Sequence, residues 1–391
     1  MKRRSLSASS ALAICLVAIF PLFVDLVARG SQPLDSVVRA QNRWKNAAAD
    51  YPWKFPDDHW SHDEYQSEWW YFTGHLQTSD HPPRRFGFQF TFFRFGLAPT
   101  LPPRDSTWNS KNLIMAHLAI SDIASGEHLF SEVLTRESPL LAGLGIQPDS
   151  LLAWSRAPAG SPGRWLLHWN GNGFRMTAHD STQGLALQLS TRPLKPVVLQ
   201  GPNGYSRKSP LDGHASLYYS FSRMHTTGTL VVHGRRFAVH GLTWMDKEFG
   251  SGQLAENQTG WDWLSVQLLD GREWMGFLVR DTAGNVDHAS AALISVEGKR
   301  QELSAGEWTW SHSRTWQSPH TKATYPIAWR LRVPGAGLDL SIEALIEDQE
   351  NRGRRLFYWE GAVQARNAAG ELVGHGYVEM TGYGKGNRPP L

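Results

Sequence analysis

The sequence predicts an all-β protein made of two consecutive, related antiparallel domains, each a barrel or a sandwich. The chain has 391 residues, which is enough for about two or three domains. Its 36 Gly and 22 Pro have no repeating period and separate short segments of alternating apolar and polar residues. Such a succession of short strands and turns is typical of barrels and sandwiches, and helix signals are few.

The composition excludes several other classes of protein. Hydrophobic residues make up 41% of the chain and charged residues 19%, so the chain can bury cores and is not a disordered protein. The lack of a Gly or Pro period excludes collagen-like and coiled-coil proteins. The single Cys excludes a disulfide framework and a zinc site built on cysteines.

Residues 1–28 have the pattern of a signal peptide or an N-terminal anchor. Three basic residues follow the initial Met, and residues 11–24 are apolar over a length that is short for a membrane span. Cleavage after Ala28 removes three basic residues and one acid, which lowers the formal net charge from +3 to +1 and removes the cysteine. We therefore expect a periplasmic or secreted protein that is poorly suited to bind nucleic acid.

A linker or extended arm is expected at residues 29–60, and a hairpin then opens the first predicted domain, residues 61–235. Residues 68–76 are rich in aromatic residues, and residues 85–94 alternate almost strictly, with a polar turn between them. Four phenylalanines share one face of the second strand: Phe86, Phe88, Phe90 and Phe92. The pattern predicts a hairpin with one apolar face.

The same unit recurs twice in the second predicted domain, residues 236–391. The copies span residues 261–280, with a hairpin turn at Asp270-Gly271, and residues 358–380. Weaker turn signals occur at Thr227-Gly228 and His233-Gly234. Further strands are expected at residues 113–120, 165–170, 185–190, 216–224, 228–233 and 236–244.

The most concentrated candidate site combines acids and aromatic residues within residues 241–263. Asp246, Glu248 and Asp262 lie among tryptophans, and burial in an apolar pocket raises the pKa of a carboxyl group. Such a group stays protonated and can act as a general acid. Alternation places Asp246 and Glu248 on one strand face and Lys247 on the other. The alternative is that these acids make turn hydrogen bonds or pair with Lys247 or an arginine.

A second cluster, residues 57–64, contains His59 and His62 among four acids. Histidines and acids are common metal ligands, but the spacing here is not helical and no further partner is identifiable. We interpret the segment as a solvated loop that enters the first strand, and we expect no metal.

Two more patterns identify candidate pocket residues. Glu68 lies directly against two tryptophans and is either a pocket acid or the partner of Arg94 or Arg223. Within residues 216–222, Tyr218 and three serines alternate onto one strand face, which either lines a cavity or faces solvent. The sequence has no G-x-S-x-G, P-loop, dinucleotide-binding or H-E-x-x-H motif.

These motifs, together with others, follow one another at residues 57–76, 88–94, 195–201, 215–223, 243–250, 260–263, 358–361 and 376–383. Their order resembles the AttH-type lipocalin-like family, the superfamily of bacterial carotenoid 1,2-hydratases, or hydroxyneurosporene synthases, whose members are often described as secreted hydrolases. The resemblance implies two consecutive lipocalin-like antiparallel β-barrels. Lys247 stands where many relatives have His, so the resemblance supports no basic catalytic residue there.

The resemblance implies a hydratase that needs no cofactor. A protonated carboxyl group would protonate a C=C bond, aromatic faces would shield the resulting carbocation, and an activated water would add. The candidate catalytic residues are Asp262 as first proton donor, Asp246 as second, and His240 or Glu248 as holder of the water. The candidate substrate-binding residues are Trp244, Trp261, Trp263, Glu68, Trp69, Trp70 and Tyr218.

A second interpretation is an exported barrel that binds a lipid or another small apolar molecule without catalysis, beside an inner-membrane transporter. A hydrolase ranks third because no nucleophile–base pair is visible. Convergence of Asp246, Glu248 and Asp262 on an aromatic cavity would favour catalysis. Acids paired with arginines outside a cavity would favour binding or a structural role.

Overall fold

The structure is built almost entirely from β-strands, as the sequence predicts. The computed structural model describes residues 44–99, 110–384 and 386–389, so the expected signal peptide or anchor at residues 1–28 lies outside the described residues. Besides strands, the described residues contain three short 3₁₀ helices: Asp57–His59, Pro202–Gly204 and Pro334–Ala336. None of the helices in this part of the chain has the length and apolar character needed to cross a membrane.

The first sheet contains thirteen antiparallel strands. They are β1 (Ser67–Gln77), β2 (Arg85–Gly96), β3 (Asn112–Asp122), β4 (Glu127–Arg136), β5 (Ala142–Leu144), β6 (Leu151–Arg156), β7 (Arg164–Trp169), β8 (Phe174–Asp180), β9 (Leu185–Pro193), β10 (Val198–Leu199), β11 (Tyr205–Arg207), β12 (Ala215–Val232) and β13 (Arg235–Gly250). Their spatial order is β4-β3-β2-β1-β13-β12-β9-β8-β7-β6-β5, and β10 and β11 also pair with β12.

The second sheet contains ten antiparallel strands. They are β14 (Gln258–Leu268), β15 (Glu273–Asp281), β16 (Val286–Ile294), β17 (Arg300–Leu303), β18 (Thr309–Gln317), β19 (Thr324–Val333), β20 (Leu338–Ala344), β21 (Glu350–Arg352), β22 (Phe357–Arg366) and β23 (Leu372–Met380). Their order is β17-β16-β15-β14-β23-β22-β20-β19-β18, and β21 also pairs with β22.

The chain passes from the first sheet to the second after Gly250, whereas the sequence placed the domain boundary at 235/236. β13 belongs to the first sheet because it pairs with β1 and β12 along its length. No turn occurs at Thr227-Gly228, since β12 continues to Val232. The chain turns instead at His233-Gly234, where both residues have positive φ angles, 49° and 76°, as a two-residue type I′ hairpin requires.

The central strands of the first sheet are buried on both faces. β1 and β2 pair as predicted, with Trp70 opposite Phe92, and the four predicted phenylalanines lie in the first hydrophobic core. The opposite face of the hairpin, expected to be less apolar, is buried against the second sheet, where Gln89 donates a hydrogen bond of 2.9 Å to the Tyr358 hydroxyl. Polar residues on this inter-sheet face are therefore shielded from bulk solvent.

Residues 44–60, predicted as part of a linker or arm, are an ordered arm packed on the first sheet. The His59 side chain is buried, with its Nδ1 atom 2.6 Å from the Tyr219 hydroxyl. The Trp70 indole donates a hydrogen bond of 2.7 Å to the carbonyl oxygen of His59. The expectation of a solvated loop at residues 57–64 is wrong in its centre, where three side chains are buried: Asp58, His59 and His62.

Candidate functional site

A cavity lies between the two sheets, within an aromatic cluster to which both sheets contribute. The space open to the centres of water-sized molecules is about 90 Å³, which is several times the roughly 10–15 Å³ that one water needs. The aromatic lining comprises Trp69, Tyr71, Phe93, Phe95 and Tyr218 from the first sheet, and Trp261, Trp263, Phe277 and Tyr358 from the second. The ionisable lining comprises Asp246, Glu248, Glu379, Lys208 and His117.

Strand alternation builds the first-sheet wall of this cavity. Asp246 and Glu248, two residues apart on β13, both line it. Tyr71 and Trp69 lie directly opposite them on β1, and Tyr218 lies opposite Glu248 on β12. Because opposite residues of an antiparallel pair point to the same side of a sheet, these strands present a mixed acidic and aromatic surface to the second sheet.

Asp246 is a buried carboxyl group held by neutral donors, the side chains of Ser220, Trp244 and Tyr218. The Ser220 hydroxyl and the Trp244 indole both donate to Oδ1, at 2.5 Å and 2.7 Å. The pKa of Asp246 is raised to about 7: burial and, to a smaller extent, the charge of Glu248 raise it, and the hydrogen bonds from Ser220, Trp244 and Tyr218 act in the opposite direction. Near neutral pH this group is therefore divided between its protonated and ionised forms.

Glu379, on β23, places a second carboxyl group in the cavity from the opposite sheet. The Trp261 indole donates a hydrogen bond of 3.3 Å to its Oε2 atom. The pKa of Glu379 is raised to about 8: burial and, to a smaller extent, the charges of Asp246 and Glu248 raise it, while the hydrogen bond from Trp261 lowers it. At neutral pH Glu379 therefore mostly carries a proton that it can donate.

Glu248 differs from these two acids because it has a cationic partner. The Lys208 ammonium lies 2.7 Å from Glu248 Oε1, and the Ser216 hydroxyl donates to the same oxygen at 2.5 Å. Lys208 also lies 4.4 Å from the centroid of the Phe277 ring. The pair fixes one carboxylate at the cavity wall.

A further buried carboxyl group, that of Glu360, lies behind the wall. It is opposite Glu379 in the β22–β23 pair, and the Tyr71 hydroxyl donates a hydrogen bond of 2.8 Å to its Oε1 atom. Burial, together with the charge of Glu379, raises the pKa of Glu360 well above its ordinary value. Its contact with Tyr71 holds that ring in the cavity wall.

Five of the predicted residues lie outside the cavity lining, and three of them are Asp262, His240 and Trp244. Asp262 points to Arg280, whose Nε atom is 3.2 Å from its Oδ1 atom, and it accepts a hydrogen bond of 3.1 Å from the Tyr383 hydroxyl. Burial raises the pKa of Asp262, and the charge of Arg280 opposes the shift. His240 is half-buried in the first half of β13. Trp244 lies beside Asp246 on the same face of β13, within the inter-sheet aromatic cluster, and donates its indole N–H to that acid.

Glu68 and Trp70 face the interior of the first sheet, on the other side of β1 from the cavity. Glu68 accepts hydrogen bonds from Arg94, at 3.0 Å, and from Lys247, and His62 Nδ1 lies 2.7 Å from its Oε1 atom. Burial alone would raise the pKa of Glu68, but the charges of Lys247 and Arg94 hold it below its usual range. Lys247 in turn lies 3.5 Å from the centroid of the Trp70 ring. Of the two roles expected for Glu68, the structure shows the pairing with Arg94.

The cavity thus unites part of the predicted set with residues that the sequence did not identify. The predicted members are Asp246, Glu248, Trp69, Trp261, Trp263 and Tyr218, and the added ones are Glu379, Lys208, Tyr71, His117 and Tyr358. Glu379 and Tyr358 lie in the third copy of the recurring hairpin, so comparing the copies position by position could have identified them. His117 gave no signal because it is one histidine within an apolar strand.

The arrangement suits acid–base chemistry on an apolar molecule. A carboxyl group that is mostly protonated at neutral pH, a carboxylate in an ion pair and several aromatic faces meet in one water-accessible space. In the part of the chain that the structure describes, no group of three or more His, Cys, Asp or Glu side chains is arranged to hold a metal ion.

Comparison with known proteins gives one family match and two relatives. The model of the AttH-like family matches residues 46–383. The dehydratase asqC of Emericella nidulans is 24% identical over 201 residues, which are 47% of this chain and 55% of the relative. The kievitone hydratase of Fusarium solani subsp. phaseoli is 22% identical over 143 residues, 36% of this chain and 40% of the relative. The chain therefore spans about half the length of these curated relatives.

Solved structures show the same fold. A protein described as AttH from Nitrosomonas europaea has a TM-score of 0.74 and 30% identity, and the match covers 87% of this chain and 100% of that chain. Kievitone hydratase from Nectria haematococca has a TM-score of 0.60 and 15% identity, with 86% and 96% covered. At 15% identity, the similarity to this kievitone hydratase structure concerns the fold alone.

Proposed function

Because this chain belongs to the AttH-like family, we propose that it is a hydro-lyase, which adds water to a C=C bond of an apolar molecule or catalyses the reverse elimination. The single observation that carries the proposal is the pair of carboxyl groups with raised pKa values, Asp246 and Glu379, in a cavity with aromatic walls. The two curated relatives, a dehydratase and a hydratase, support the reaction class.

Glu379 is the proton donor in this proposal. Its carboxyl group is mostly protonated at neutral pH and reaches the cavity from the second sheet, so it can deliver a proton to one alkene carbon. A cation then develops on the neighbouring carbon. The rings of Trp69, Trp261 and Trp263 stabilise this cation, because the face of an aromatic ring carries partial negative charge. The Glu248 carboxylate adds a fixed negative charge.

The cavity also restricts the kind of substrate. Apolar aromatic side chains form most of the lining, and about 90 Å³ of space accepts one end of an apolar molecule together with a water. Lys208 is already paired with Glu248, so an anionic substrate would meet more carboxyl groups than cations. A neutral isoprenoid or lipid-like alkene, or the corresponding tertiary alcohol, fits these conditions.

The location and the partner also belong to this proposal. The basic start and the apolar stretch at residues 11–24 support export to the periplasm or beyond, by a cleaved signal or with the segment kept as an anchor. An exported protein with such a cavity could receive its apolar ligand from an inner-membrane transporter. Fractionation of cells that produce the full chain, with detection of its N-terminus, tests the location.

The reaction is tested with the purified protein and defined probes in ¹⁸O-labelled water. Squalene and geranylgeraniol serve as alkenes and nerolidol as a tertiary alcohol, and mass spectrometry detects addition of labelled water or its loss. Glu379→Gln is expected to abolish turnover, because an amide cannot supply the proton. For the unaltered protein the rate is expected to fall as the pH rises through about 8, the pKa of Glu379.

The matched control is Glu350→Gln, which alters a buried carboxyl group outside the cavity, bonded to the hydroxyls of Ser318 and Tyr325. It is expected to keep turnover. Native mass spectrometry of the purified protein tests the alternative, a binding protein without catalytic activity. A retained apolar ligand that is released unchanged, with no probe converted, would contradict catalysis and support the binding protein.

A further inference from the structure

Three side chains are aligned in one wall of the cavity: Tyr358, His117 and Glu132. The Tyr358 hydroxyl lies 2.7 Å from His117 Nδ1, and His117 Nε2 lies 3.4 Å from Glu132 Oε2, an ion-pair distance. Tyr358 and His117 both line the cavity, whereas Glu132 lies behind them. Tyr358 is on β22, in the same sheet as Glu379, and His117 is on β3 of the other sheet.

The neighbours of Tyr358 fix the direction of its hydrogen bond with His117. Gln89 donates its amide N–H to the Tyr358 oxygen at 2.9 Å, and Asn351 donates to the Gln89 carbonyl oxygen at 2.9 Å, which sets the orientation of the Gln89 amide. The Tyr358 oxygen is thereby engaged as an acceptor, and its own hydrogen remains for His117.

The charge of Glu132 determines which ring nitrogen of His117 carries the hydrogen. His117 Nε2 lies 3.4 Å from the Glu132 carboxylate without hydrogen-bond geometry. A carboxylate attracts a nitrogen that carries a hydrogen and repels a bare lone pair, so the charge of Glu132 favours the hydrogen on Nε2. His117 is therefore the Nε2–H tautomer, and its Nδ1 atom accepts the hydrogen of Tyr358. Burial would raise the pKa of Glu132, but its contact with His117 holds the pKa below the ordinary value. The carboxylate is thus ready to stabilise a protonated imidazole.

We propose that Tyr358, His117 and Glu132 form the proton-accepting triad of this site. The triad activates the water that adds to the cation formed when Glu379 protonates the alkene. Tyr358 is the catalytic residue, His117 receives its proton, and Glu132 is a positioning residue. This inference rests on the proposed hydro-lyase function and adds to it the group that takes the proton from water.

The step balances in atoms and charge. The water oxygen forms a bond to the cationic carbon while its proton passes to the Tyr358 oxygen. The hydroxyl hydrogen of Tyr358 passes at the same time to His117 Nδ1, which leaves a neutral phenol and an imidazolium ion facing the Glu132 carboxylate. The alcohol leaves, His117 returns its proton to solvent, and Glu379 takes one up. In the elimination direction the same transfers run in reverse.

The protein contains a second Tyr–His contact that provides a matched control. The Tyr219 hydroxyl lies 2.6 Å from His59 Nδ1, and this pair is buried in the first sheet without contributing to the cavity lining. Tyr219→Phe therefore removes the same kind of hydrogen bond as Tyr358→Phe, at a place where no water is activated.

Steady-state kinetics on a converted probe test the proton-accepting triad. Tyr358→Phe is expected to lower kcat roughly 10²-fold or more with little change in KM, while Tyr219→Phe keeps kcat. In Glu132→Gln the acidic limb of the pH–rate profile is expected to move to lower pH, because the charge that favours the imidazolium is lost. An unchanged kcat in Tyr358→Phe, or an acidic limb that does not move in Glu132→Gln, would overturn the triad.

A measurement without substrate separates this inference from the proposed reaction. NMR of protein labelled with ¹⁵N-histidine, assigned with His117→Gln, reports which ring nitrogen carries the hydrogen. The expected result is the Nε2–H tautomer, with an Nδ1 signal that shifts in Tyr358→Phe but not in Tyr219→Phe. The Nδ1–H tautomer would refute the proton-accepting triad even if the unaltered protein hydrates a probe. The expected tautomer without turnover of any probe would instead count against the hydro-lyase function.

Discussion

Asp246→Asn offers a direct test of the buried acid with a raised pKa, because the asparagine side chain can occupy the same space. The Ser220 hydroxyl and the Trp244 indole both donate to Oδ1, so an asparagine with its carbonyl oxygen at that position keeps both hydrogen bonds. The substitution therefore removes the titration of the group and keeps these two hydrogen bonds, and it alters only the contact with the Tyr218 hydroxyl.

The pKa of Asp246 gives the expected size of the effect. In the unfolded chain the carboxyl group titrates at its ordinary value of 3.8, and in the folded protein at about 7. Between these two values the folded state holds a proton that the unfolded state has lost, so the stability of the native protein falls as the pH rises. A tenfold change in an equilibrium corresponds to about 1.4 kcal/mol, so the full loss above the folded pKa amounts to about 4 kcal/mol.

The assay is chemical denaturation of both proteins at about pH 4 and about pH 9, followed by tryptophan fluorescence. Relative to the unaltered protein, the free energy of unfolding of Asp246→Asn is expected to rise between the two conditions by a few kcal/mol and by at most about 4. A difference between the two proteins that does not change with pH would refute the reasoning, since Asp246 would then be ionised throughout.

Asp180→Asn is the control with the opposite sign. The Asp180 carboxylate accepts hydrogen bonds from Ser131, Thr182 and Gln183. Burial would raise the pKa of Asp180, but these hydrogen bonds lower it to about 2. Its stabilising contribution is present above the unfolded pKa and is lost as the pH falls through the folded one. Asp180→Asn is therefore expected to be less stable than the unaltered protein at high pH, and this difference is expected to shrink on acidification.

Two further substitutions test the division between structural and reactive charges. Lys247→Met removes one of the two permanent cations from the buried Glu68 carboxylate and leaves it with Arg94 and the contacts of His62. The free energy of unfolding, measured by denaturation, is expected to fall by about 3–5 kcal/mol, and a change near zero would contradict the role of the Glu68–Lys247 pair. Asp262→Asn is expected to lower stability, because Arg280 loses its buried partner, while kcat on a converted probe is kept. If Asp262→Asn instead lost turnover as Glu379→Gln does, the donor role would return to Asp262, the choice that the sequence favoured.

The sequence predicted the fold well because the signal for strands is local. Alternation in residues 85–94 identified β2, and the Asp270-Gly271 turn identified the hairpin β14–β15. The AttH-type resemblance, which implied two consecutive lipocalin-like antiparallel barrels, is confirmed by the family match and the shared fold. The boundary between the two domains could not be predicted from such local signals. β13 looks like any other strand in the sequence, and only its pairing with β1, far away in the chain, assigns it to the first sheet.

The candidate site was predictable only where it follows from a single strand. Alternation placed Asp246 and Glu248 on one face, and the cavity lies on that face. The sequence could not show that Asp262, also set between tryptophans, meets Arg280, or that His117 meets Tyr358 from the other sheet. These contacts depend on how two sheets pack, and no local pattern of residues encodes that packing.

The two faces of β13 explain why some buried acids are structural and others suited to react. Lys247 points into the first sheet, where Glu68 meets two cations and is held in its charged form. Asp246, one residue earlier, points the other way and is held by neutral donors, so burial raises its pKa instead. The alternation of side chains along β13 thus places Lys247 in a network of paired charges and Asp246 in the aromatic cavity. The placement of the cations, and not the mere presence of acids beside tryptophans, therefore determines which carboxyl groups of this protein can give up a proton near neutral pH.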